Sequence, residues 1–119
     1  MEFQVDIWVR GTTHATTAVL NPVARPPREW TDGDVTAVLV DMLRALDRAK
    51  NPDAVPDRPV ALRGFSWIVN PFEAGGVVIA LELTLGAIVA GPFDIAERDL
   101  TAMITRAVAA DRIASDTVH

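Results

Sequence analysis

Hydrophobic and polar residues alternate one for one at the start of the chain. Phe3, Val5, Ile7 and Val9 interleave with Gln4, Asp6, Trp8 and Arg10, the period of two of a half-buried β-strand. Gly11 to His14 read as a turn, and the β-branched stretch Thr16 to Leu20 predicts a second strand paired back as a hairpin. Pro22, Pro26 and Pro27 make the next segment a loop, because proline fixes φ and lacks an N–H.

The period then lengthens. Val35, Val38, Leu39, Met42, Leu43 and Leu46 recur at the three-and-four spacing of one helical stripe. Thr31 is the candidate N-cap, Asp34 its capping-box partner, and Trp30 stands where it would pack on Val35. Asp41, Arg44, Asp47 and Arg48 are expected on the wet face. Asn51 and Pro52 stop the helix, and Asn51 to Pro59 form a stiff connector.

The stretch from Val60 to Gly91 predicts a long hairpin at the centre of a sheet, turning at Asn70, Pro71, Gly75 and Gly76. Both faces of its first strand are apolar. Either Ser66 and Ile68, or Phe65, Trp67 and Val69, face away from the core. In its second strand Val77, Ile79, Leu81, Leu83 and Leu85 oppose Val78, Ala80, Glu82 and Thr84, and Gly86 marks a bulge or strand end. Gly91 and Pro92 read as a turn. A second helix is expected from about Asp94, with Glu97 as box partner, to about Arg112. Its stripe is Ala96, Leu100, Met103, Ile104, Ala107 and Val108, and residues 113–119 are expected to fray.

Two such stripes are buried most simply against one sheet face. The expected fold is an α+β two-layer sandwich, with a three- to four-stranded, mainly antiparallel sheet and two helices on one face, in the order β-β-α-β-β-α. Asp34 to Leu39 echoes Asp99 to Ile104, and Val23 to Pro26 echoes Val89 to Pro92, which raises an internal ββα duplication. The length suits one domain, residues 1–119.

Charge and composition narrow the functions. Sixteen acids against eleven basic residues give a net charge of −5, which repels a phosphate backbone. No aromatic run of the kind that stacks RNA bases accompanies it. No nucleic-acid partner is expected. Cysteine is absent, so disulfides, thiolate metal sites and a cysteine nucleophile are excluded. The N-terminus carries acids where a signal peptide needs basic residues and an apolar run. A cytoplasmic protein is expected. The longest apolar run contains Glu82 and falls short of the ~18 residues of a membrane span.

The chemistry-bearing candidates collect on the sheet face away from the helices: Asp6, Trp8, Arg10, Glu82 and Thr84, with His14 in the first turn. A tryptophan among charges on an uncovered face invites association. The leading expectation is a homo-oligomer, or a subunit docking another protein, through this face or an edge strand. The alternative is a small-molecule binder or enzyme whose pocket between protomers is lined by Asp6, Arg10, His14 and Glu82. No metal or cofactor is expected. His14 and His119 lack zinc spacing, and capping accounts for Asp32 and Asp34 without a calcium loop. The Gly-rich turn at Gly75 lacks the Lys-Ser/Thr of a phosphate loop, and no nucleophile elbow is present.

Overall fold

The computed structural model describes residues 3–13, 15–20, 23, 25–51, 62–73 and 75–116. The alternating first segment is strand β1 (Gln4–Val9), and it turns into β2 (Thr16–Val19). A short 3-10 turn, Pro27–Glu29, leads into helix α1 (Asp32–Lys50). Strands β3 (Phe65–Pro71), β4 (Val77–Leu83) and β5 (Gly86–Phe93) follow, then helix α2 (Glu97–Asp116). All pairings are antiparallel, in the order β2-β1-β5-β4-β3. The fold is α+β, with five strands rather than the three or four expected. Among the described residues no helix is long and apolar enough to cross a membrane.

The extra strand comes from the run read as one strand ending near Gly86. Leu83 pairs with Gly86, so Thr84 and Leu85 form a two-residue turn and the chain doubles back. Neither turn residue is the Asn or Gly that usually announces a tight hairpin. Gly91 and Pro92, expected to turn, lie inside β5, and a register shift between Val77 and Ile79 accommodates them. The predicted β3–β4 hairpin is present, closed by Phe72 N–H to the Gly76 carbonyl at 2.9 Å. It forms one side of the sheet, however, and the central strand is β5.

One parity of each long strand is buried. Val5 and Ile7, Val69, Ile79 and Leu81, and Ile88 and Ala90 face the helices. Helix α1 packs on β1 and β5, α2 packs on β3, and the two helices touch. All six predicted stripe residues of α1 are buried, as are Leu100, Met103, Ile104 and Ala107 of α2. Phe65 and Trp67 take the helix side, half-buried, which leaves Ser66 and Ile68 on the other face. Phe3 meets Trp30 and Phe93 edge-to-face, and Trp30 lies tilted on Phe93 (centroids 4.7–5.8 Å apart), within the core. The Trp30 indole N–H donates to the Arg25 carbonyl at 3.0 Å.

The capping box on α1 forms as predicted: Asp34 N–H donates to Thr31 Oγ1, and Thr31 N–H to the Asp34 carboxylate. Asp94 does not cap α2, which starts three residues later; its carboxylate instead accepts from Arg28 at 2.8 Å. Ala96 accordingly lies ahead of the helix and is exposed. Residues 113–116, expected to fray, continue α2, while 117–119 lie outside the described residues. Most of the expected connector, Pro52 to Pro59, also lies outside them. The two halves are not copies. Helix α1 follows an edge strand, whereas α2 follows the central one. The echoed segments share only a helical position, Asp34 and Asp99 each being the third residue of its helix.

Gly86 has φ 152°, and a Cβ placed there would overlap the Trp8 carbonyl oxygen of β1. Replacing Gly86 with Ala should cost about 2–4 kcal/mol in denaturant unfolding. Gly33→Ala is the control, on an exposed first turn where the nearest atom is 3.6 Å away; it should gain about 0.5–1 kcal/mol. A second outcome concerns acid. The backbone hydrogen bond from Thr31, with smaller contributions from the Thr31 hydroxyl and then Arg25, holds the Asp34 carboxyl below its ordinary range. The two-pronged hydrogen bond from Arg106, at 2.8 and 2.9 Å, does the same for Asp32. Depressed folded-state values favour the ionised form. Their stabilisation is therefore present above the unfolded carboxylate value, about pH 4, and is lost as pH falls through the folded ones. Melting temperature should drop between pH 5 and 2, and less steeply in Asp34→Asn.

Candidate functional site

The register places the uncovered face residue by residue. One cross-strand row reads Trp8, Ala87, Glu82, Ser66; the next reads Thr17, Asp6, Val89, Ala80, Ile68. Trp8, Val19, Ile68 and Val89 are all exposed. Between the ridges, the small side chains of Ala80 and Ala87 leave a trough of 160 Å³, walled by Ile68, Glu82 and Val89.

Trp8 is held at both ends. Its indole N–H donates to the Thr12 carbonyl at 3.2 Å, and the Arg10 guanidinium lies over the ring at 5.8 Å. Arg10 is itself fixed to the β4–β5 turn. Its Nε donates to the Thr84 carbonyl at 3.1 Å and its backbone N–H to Leu85 at 2.8 Å. The two-residue turn missed in the sequence is thus what positions Arg10. Arg10, Glu82, Ser66 and Thr84 rim an open basin of 600 Å³ at this corner.

Of the residues singled out in the sequence, Trp8, Arg10, Glu82 and Thr84 come together. Asp6 lies one row away and accepts a hydrogen bond from Thr17 at 3.2 Å, and His14 lies outside the described residues. Ala87 and Val89 are the residues of this face that the sequence did not place there; Ala80 is expected beside Glu82 by parity, and Ser66 and Ile68 are one of the two alternatives for β3. Reading Thr84–Leu85 as a hairpin turn would have put Ala87 and Val89 on this face by parity alone.

A second concavity was not foreseen. Leu20 and Val23, after β2, lie beside α1 and form with Ala37, Val40, Asp41 and Arg44 a cleft of 390 Å³. Asp41 and Arg44 are therefore not on the wet face. Asp41 is buried and Arg44 half-buried, because the loop covers a helical side that no periodicity marked as apolar. The Arg44 Nε is fully shielded and has no hydrogen-bond partner among the described residues. A buried unsatisfied donor costs about 1–3 kcal/mol. Arg44→Met, which keeps the stem and removes the donor, should raise unfolding free energy by about 1 kcal/mol; Arg44→Ala, which also empties the packing, should lower it.

The chain matches no protein-family model, no curated protein and no solved structure.

Proposed function

We propose that this chain works by association, with the uncovered sheet face as its contact surface and a second copy of itself as partner. The observation that carries this reading is a five-stranded face left bare by both helices, with Trp8, Val19, Ile68 and Val89 exposed on it. Five strands about 4.8 Å apart, with some seven residues at about 3.3 Å each, cover roughly 500 Å² per copy. Pairing two copies buries ~1,000 Å², the threshold of a specific interface.

The polar groups support the same reading. The Trp8 indole N–H is already bonded within its own chain, so covering the ring strands no donor. Arg10 and Glu82, of opposite charge, edge the same patch, which suits a surface that meets itself. A small-molecule site at the Arg10–Glu82 corner is less well supported. The basin there is open and would enclose little of any ligand.

Light scattering or sedimentation should give a particle of twice 12.8 kDa that dissociates on dilution. Trp8→Arg removes apolar burial and adds a charge in both copies, so it should raise the dissociation constant at least about tenfold, or 1.4 kcal/mol. A net charge of −5 per copy repels at long range, so added salt should speed association. A wild-type chain that stays at 12.8 kDa at millimolar concentration ends this reading.

A further inference from the structure

The geometry points to one arrangement of the two copies: face to face, with the two-fold axis running along β5. This rests on the association reading and goes further by assigning the contacts. Three features of the face select this axis.

First, β5 is the middle strand, flanked by β1 and β2 on one side and by β4 and β3 on the other. A two-fold axis along β5 lays β1 over the partner's β4 and β2 over its β3. The two faces then overlap fully. An axis displaced to any other strand leaves strands overhanging, and the ~1,000 Å² of the whole face has none to spare against the size of a specific interface.

Second, the same axis sets Trp8 against β4 of the other copy. Trp8 on β1 and Glu82 on β4 stand in one row on either side of Ala87. A rotation about β5 keeps each residue in its row, so Trp8 comes to lie over Glu82 of the other copy, at the wall of the 160 Å³ trough that Ala80 and Ala87 leave. Stacked sheets lie about 10 Å apart, a gap that one layer of interdigitated side chains fills.

Third, the charges fall into register. Arg10, tied over Trp8 from the turn side, moves with it to the end of β4 where Glu82 stands. Each interface therefore carries two Arg10–Glu82 pairs across the axis. Ala87 and Val89, on the axis, meet their own copies. Ile68 meets the opposite edge of the partner sheet and stands far from its own copy.

The absence of cysteine from the chain makes this directly testable. Ala87→Cys and Val89→Cys, made separately, each place one thiol per chain on the axis, with mates separated by about one sheet-to-sheet distance. Ile68→Cys mates are about four strand spacings apart, roughly 20 Å. A short bis-maleimide should join the first two variants into covalent dimers in high yield and leave Ile68→Cys uncoupled. Circular dichroism and sedimentation of each variant before coupling confirm that it folds and pairs as the parent does. A dimeric parent whose Ala87 and Val89 variants fail to couple, or in which only Ile68→Cys couples, overturns this axis and leaves the association reading standing. A monomeric parent overturns both.

Discussion

The pairing of β1 with β5 is the interaction on which the rest of the molecule depends. Val5 faces Ala90, Ile7 faces Ile88 and Val9 faces Gly86 across it, joining strands from opposite ends of the chain. An isolated two-stranded hairpin is marginal in water, so β1 and β2 persist because β5 accepts them on its free edge. The pairing also builds the floor under α1, which packs on both of its strands. At Gly86 a Cβ would meet the Trp8 carbonyl of β1, and no side chain larger than hydrogen fits there without a shift.

Once that pairing exists, the two helices complete one side of the sheet and no described element covers the other. Helix α1 lies over β1 and β5, α2 lies toward β3, and the two are linked at their flanks by Arg106 and Asp32. That ion pair is half-exposed on both sides, so it sets orientation more than it stabilises. Trp30 and Trp8 show how the two faces differ. Both indole N–H groups donate to nearby carbonyls. Trp30 packs with Phe3 and Phe93 inside the core, whereas Trp8 is exposed with Arg10 over its ring. A polar tip satisfied within the chain lets one tryptophan sit in the core and another on the uncovered face.

The loop after β2 adds a cost that the sheet does not require. Leu20 and Val23 lie beside α1 where the Arg44 Nε is shielded, and no acceptor among the described residues reaches it. A helix that read as having a clean polar side therefore carries a buried carboxylate and a half-buried guanidinium there. Such groups are decided by what the chain lays over the helix, not by the helix.

By itself the sequence determined whatever depends on neighbours within one turn or one pleat. The alternation of β1, the stripe and capping box of α1, the stripe of α2 and the β3–β4 hairpin were legible for that reason. Parity likewise put Trp8, Arg10, Glu82 and Thr84 on one face, but gathering them at one corner took β5 between β1 and β4 and the turn at Thr84–Leu85. Tertiary structure decided the turn at Thr84–Leu85, the continuation of β5 to Phe93, the late start of α2 and the side taken by Trp67. Each of these is a choice between local conformations of similar energy. The balance is tipped by partners far along the chain: β1 beside β5, Trp30 against Phe93, the helices against β3.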